Sequence, residues 1–214
     1  MTTTLFTNAH IATGEPGSTA ASTLPLQDIL VTDGVFTAFG PGLAQQYEAQ
    51  GGDLAAIEVV DLGGKLVCPP FCDTHLHLDY VFTARKPGAV NESGTLFEGI
   101  QRWSETKSDL TVDEIKQRAK IGIKKEMLHG VQLIRSHADV TDPNLTSLKA
   151  LLELKEELKD TVTLQIVSFP QEGMYSYEGP HGESGAELVE EGLKMGADLS
   201  LIHISEPTRP EPIS

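Results

Sequence analysis

The stretch VCPPFCDTHLHLD, residues 67–79, decides how the rest of the chain is read. A short apolar run leads into two histidines one residue apart. In an extended strand alternate side chains share a face, so His75 and His77 project together while Leu76 and Leu78 project the other way. The two backbone positions then lie about 7 Å apart. Two neutral imidazoles at that spacing can converge on one divalent ion that activates water. Cys68 and Cys72 flank the prolines of the same stretch. Four extended residues separate their Cα atoms by roughly 13 Å, too far for a disulfide, and they read as free thiols.

Working outward, the composition bounds what such a site could serve. The 214 residues are 39% apolar and 22% charged, which describes a globular chain rather than a disordered one. The formal charge of −15, with no clustered basic surface, disfavours a nucleic-acid partner and leaves small molecules as the expected substrates. The opening MTTTLFTNAHIATG has neither a basic start nor a sustained apolar core, and no later run approaches membrane-spanning length. No membrane partner is expected, and the expected address is the cytoplasm.

Residues 1–65 differ in texture from the remainder of the chain. LQDILVTDGVFTAFG and LAAIEVVDLGGKLV are short apolar runs punctuated by glycine, and residues 14–22 are small and turn-rich. This predicts short strands and hairpins, with Asp33-Gly34 as a turn between two of them. Beyond residue 65, strands expected at 66–72, 131–140 and 161–169 alternate with helices at 111–129 and 144–158. Thr111 with Glu114 three residues later has the form of a capping box. Strand, helix, strand, helix predicts parallel pairing with right-handed crossovers, in a barrel or an open α/β sheet. LLELKEELKD and ELVEEGLK mix Glu with Lys at helical spacings and read as solvated outer faces.

Four motifs in order carry a family resemblance: HLHLD, GTLFEGIQRW at 94–103, RSHADV at 135–140 and LQIVSFPQEG at 164–173. From residue 65 to 198 the chain resembles the bacterial cytosine deaminases of the amidohydrolase superfamily. The resemblance implies a (β/α)8 TIM barrel preceded by a small β-sandwich portion, and one divalent metal ion, zinc or iron. It matches His75 and His77 to the family's first two metal ligands. Gln171 falls where the family places a substrate-recognising glutamine, whose primary amide offers both a donor and an acceptor to a pyrimidine edge. Leu96 matches a position whose backbone lines the substrate pocket, although a leucine that opens a helix is ordinarily core. His137 and Asp139 share one face of the second strand. They are either an imidazole and carboxylate pair that orients the metal ligands, or satisfied polar groups of the barrel interior. Asp79 is expected to hold the loop after the first strand rather than to do acid/base work.

The implied reaction is hydrolytic deamination of cytosine or a related nitrogen heterocycle, with isocytosine, creatinine-like rings and N-alkyl triazines as alternatives. In the family a glutamate shuttles the proton, while a further histidine and an aspartate from later strands complete the site. No residue of this chain matches those, so no catalytic residue is assigned here. A barrel of this kind takes about 250 residues, and the truncated barrel expected here holds only three strand and helix units and the start of a fourth. The chain is therefore expected to divide into residues 1–65, part of the β domain; 66–198, the first half of the barrel; and 199–214, a non-native tail. That tail, LSLIHISEPTR followed by PEPIS, is similar to the translation of a transposon-end sequencing adapter. On that reading His203 is neither ligand nor base. The isolated chain is expected to expose an unpaired sheet edge, to bind metal weakly and to release no ammonia. The resemblance implies a homo-oligomer for the full-length parent. A noncatalytic binding module that keeps the barrel motifs is the alternative from another class.

Overall fold

The computed structural model describes residues 2–12, 24–142 and 144–200. Contacts within the chain divide it into two compact units at the Pro69-Pro70 step.

The first unit is a single mixed sheet. β1 (Thr3–Ile11), β2 (Leu26–Thr32), β3 (Val35–Gly40), α1 (Leu43–Ala49), β4 (Glu58–Asp61) and β5 (Leu66–Val67) follow in order. β1 lies at the centre, antiparallel to β2 and parallel to β4 and β5, while β3 pairs with β2. Asp33 and Gly34 both hold positive φ, 49° and 79°, which is the two-residue turn that joins twisted strands without splaying them. Leu5, Ala9, Ile29 and Leu43 form the buried face. Asp28 accepts backbone N–H bonds from Asn8 at 3.2 Å and Leu43 at 2.9 Å, which ties the α1 start to the bulge in β1.

The second unit is parallel α/β. It runs β6 (Phe71–Leu76), α2 (Leu96–Lys107), α3 (Val112–Leu128), β7 (Val131–Asp139), α4 (Thr146–Glu157), β8 (Thr163–Phe169), α5 (Gly185–Met195) and β9 (Leu199–Ser200). The sheet order is β6-β7-β8-β9 with every pairing parallel. Ile134, Leu148, Leu151, Leu154 and Ile166 are essentially inaccessible and form the heart of its core. The Thr111 capping box is present in both halves, and a second caps α5 through Ser184 and Glu187. Each satisfies two N–H groups that a helix start leaves open.

Two boundaries differ from the sequence expectation. Residues 66–72 are not one strand: Leu66–Val67 pairs with β1 in the first unit, and the barrel strand begins at Phe71. Consecutive prolines at 69 and 70 supply no N–H to a ladder, so the chain can change sheets there. Leu199 and Ser200, expected to open the tail, pair with Val167 and Ser168 as β9. Residues 201–214, His203 among them, lie outside the described residues.

Candidate metal centre

His75 sits near the end of β6 and His77 just past it, at the C-terminal edge of the parallel sheet, where barrel folds gather their functional side chains. Their ring centroids are 5.3 Å apart and the rings meet edge-on at 61°. His137 of β7 joins them, and the ligating atoms of all three histidines lie within 4.8 Å of one another. Its ring is different in attitude: it stacks on His75 at 4.2 Å and only 25° from parallel. All three side chains are thus gathered closely enough to reach one ion, with His75 exposed, His77 half-buried and His137 buried. Phe169, at the end of β8, meets His77 and His137 edge-on at 5.6 and 5.9 Å.

The loop after β6 is held from two sides. The Leu78 N–H donates to Ser136 Oγ at 3.0 Å, and the Asp139 N–H donates to Asp79 Oδ2 at 2.9 Å, so β7 carries both ends of the turn. From α3, Arg118 donates through Nε to Val81 O and through Nη2 to Asp79 O, each at 3.1 Å. Asp79 is fully buried, and burial, with the neighbouring Asp139 charge, pushes its carboxyl up to about 7 against the N–H bonds it accepts. Asp79 thus anchors this loop, as expected for it.

His137 and Asp139 part company, although they share a strand face. The Asp139 carboxylate accepts from Trp103 Nε1 at 2.7 Å, Lys107 Nζ at 3.1 Å, and Thr141 N and Oγ1 at 2.8 and 2.6 Å. Lys107 spends its other two donors on Thr141 Oγ1 at 2.9 Å and on Glu172 Oε1. Burial works against the Lys107 ammonium, but the Asp139 and Glu172 carboxylates outweigh it and the net pKa is raised. Neither Trp103, Lys107 nor Glu172 was legible as a site residue in the sequence. The i, i+4 spacing of Trp103 and Lys107 in GTLFEGIQRWSETK was the available signal.

A cleft of about 440 Å³ opens beside the histidines. His75, His77 and Tyr80 line one side; Gly99, Arg102 and Trp103 of α2 line another. Tyr80 stacks on His77 at 4.7 Å and Trp103 leans on Tyr80 at 4.9 Å, an aromatic wall that runs from His77 to the helix. Burial first, then the Asp79 and Asp139 charges, raise the Tyr80 phenol and keep it neutral. Gln171 lies half-buried just past β8, with its backbone N–H 3.4 Å from Asp139 Oδ1. Leu96 is the first residue of α2 and is 74% exposed, pointing away from any core. The α2 residues lining the cleft are those one and two turns later.

The amidohydrolase family model matches residues 58–201. The chain is 33% identical over 144 residues to N-isopropylammelide isopropyl amidohydrolase of Pseudomonas sp. (strain ADP), covering 65% of this chain and 34% of that protein. It is 27% identical over 152 residues to pterin deaminase of Rhizobium rhizogenes (strain K84 / ATCC BAA-868), covering 69% and 32%. The solved structure of 5-methylcytosine deaminase from Klebsiella pneumoniae liganded with 5-fluorocytosine superposes with a TM-score of 0.73 at 38% identity, over 92% of this chain and 42% of that one. The chain thus spans about a third to two-fifths of the length of these relatives. Among the described residues no helix is long and apolar enough to cross a membrane.

Proposed function

This chain belongs to the amidohydrolase family, and we propose that it forms part of a metal-dependent hydrolase that deaminates cytosine or a closely related nitrogen heterocycle. The observation that carries the reading is the gathering of His75, His77 and His137, whose ligating atoms lie within 4.8 Å of one another, beside a cleft walled by aromatic rings. The 38% identity to a 5-methylcytosine deaminase supports the choice of ring. Because the chain spans 42% of that enzyme, the activity proposed is that of the whole protein.

The donor set fits a divalent ion: two imidazoles suit zinc and iron alike, and a third backs one of them. An ion held there would lower the pKa of water enough for hydroxide to be available near neutral pH. The residues of this chain do the rest of what can be assigned here. His75 and His77 would hold the ion, with His137 stacked on His75; Asp79 and Ser136 fix the loop that carries His77. Tyr80 and Trp103 offer flat apolar faces to a planar ring and exclude water from it. Gln171 offers an amide to the ring's N–H and C=O edge. A cytoplasmic address belongs to the same proposal.

Release of ammonia from cytosine, 5-methylcytosine and isocytosine, and of the alkylamine from N-alkyl triazines, each with zinc and with ferrous iron, tests it on the protein at its relatives' full length. Release from the pyrimidines that vanishes in H75A and H77A is expected. An N-alkyl triazine is the second reading, favoured by the 33% identity to the isopropylammelide enzyme, and turnover of triazines alone would establish it.

A further inference from the structure

α2 lines the cleft yet is weakly anchored by apolar contact. Of its 12 residues only Trp103 is buried, against four in α3 and five in α4, and Leu96 and Phe97 at its start are 74% and 83% exposed. What holds its inner face is polar. Lys107, with a side chain only 11% exposed, places all three ammonium donors: on Asp139 of β7, on Thr141 just beyond it, and on Glu172 of the loop after β8. Ser104 adds a second α2 bond to Glu172 at 2.7 Å, and Trp103 adds one to Asp139. Asp139 in turn takes the Gln171 N–H. One ammonium therefore fixes three segments against one another: the helix that walls the cleft, the strand that carries His137, and the turn that carries Gln171.

We infer that Lys107, acting through Asp139 and Glu172, is a positioning residue that sets the aromatic wall and Gln171 at ring-binding distance from the metal ligands. This rests on the functional reading above. The clamp acts more on the heterocycle than on the ion: the three Lys107 donors go to Asp139, Thr141 and Glu172, and although the Asp139 N–H holds Asp79, the loop that carries His77 is also held by Ser136 and Arg118. Lysine suits this position because its three donors leave the carbon stem along the cone that Asp139, Thr141 and Glu172 occupy, whereas a flat guanidinium presents its donors in one plane.

The test uses the 214-residue chain and its K107M, E172Q and K116M variants. Cytosine binding is measured by equilibrium dialysis, Co²⁺ binding by titration, and the emission of Trp103, the single tryptophan of the chain, reports the wall. Lys116 is the control: it also bridges two carboxylates, Glu153 and Glu157, but joins α3 to α4 away from the cleft. K107M is expected to weaken cytosine binding about tenfold or more, as misplaced binding groups do, and to shift the Trp103 emission, while Co²⁺ affinity stays within about twofold. E172Q, which keeps the hydrogen bond and removes one charge, is expected to show the same split at about threefold, and it carries the test if K107M fails to fold. K116M should move neither ligand. Equal cytosine affinity in K107M or E172Q and the parent would overturn the inference, as would a parallel loss of cytosine and Co²⁺, which would mark the clamp as a folding element only. Failure of the unmodified chain to bind cytosine would overturn the inference alone, since the functional reading is made of the whole protein and is tested separately by turnover at its relatives' full length.

Discussion

Ser136→Ala probes how β7 holds the loop that carries His77. The Ser136 hydroxyl is inaccessible and accepts the N–H of Leu78, itself fully buried, at 3.0 Å. Alanine removes the acceptor and leaves that donor in a place where water does not reach it. An orphaned buried donor costs about 1–3 kcal/mol, and the lost oxygen leaves too small a gap to add much. We expect about 2 kcal/mol, the middle of that range. With a urea slope near 2 kcal/mol/M the unfolding midpoint falls by roughly 1 M. Leu78 follows His77 directly, so the freed turn also loosens the proposed metal ligand, and Co²⁺ affinity is expected to fall about tenfold, as it does when groups that support ligands are removed. Ser168→Ala is the matched control: another inaccessible strand hydroxyl, whose bond to Val189 O is long at 3.3 Å and lies toward α5. It is expected to cost about 0.5 kcal/mol and to leave Co²⁺ binding unchanged. Urea unfolding and Co²⁺ titration of the two variants decide the matter. An S136A chain as stable as the parent, or one that binds Co²⁺ equally well, would show that the serine acceptor does not hold the loop.

Gly192 lies where α5 crosses β8, and a Cβ there would meet Ser168 Oγ at 2.4 Å and Leu148 Cδ2 at 3.1 Å. Gly192→Ala should therefore destabilise by about 1–3 kcal/mol despite alanine's better helix propensity, and urea unfolding that shows a gain would contradict this packing. The capping carboxylates Glu114 and Glu187 are held below the usual range, chiefly by the Thr111 and Ser184 backbone N–H groups. Their contribution is complete above the unfolded pKa and is lost as pH falls through the folded one; thermal melts from about pH 6 to about pH 3 should lose less stability in E114Q/E187Q than in the parent.

Local pattern carried the elements whose causes are local. Period-two alternation placed His75 and His77 on one face, Thr111 with Glu114 marked a helix start, and Asp33-Gly34 marked a turn, because each depends on neighbours in sequence. The strand at 66–72 misled because its apolar run is continuous through Leu66 and Val67, while the backbone donors that decide pairing are missing at the two prolines. The meeting of His137 with His75 stood in the sequence only as one of two readings, since it follows from the parallel register that sets Leu76 beside Ser136. The Lys107 cluster was hidden for the same reason: its acceptors lie on β7 and beyond β8, far along the chain from α2. Leu96 shows the opposite case: Thr95 caps α2 through a local bond to the Glu98 N–H, so where the helix begins is set by neighbours in sequence.

Everything proposed for the cleft depends on His75 and His77 converging on one divalent ion. Zinc K-edge absorption on the zinc-loaded chain, with the bound stoichiometry measured in parallel, reads that convergence without recourse to activity. One zinc ion per chain is expected, with imidazole nitrogens at about 2.0–2.1 Å, and that ion should be lost in both H75A and H77A. Zinc retained at the same stoichiometry and with the same nitrogen shell in either variant would contradict the shared site.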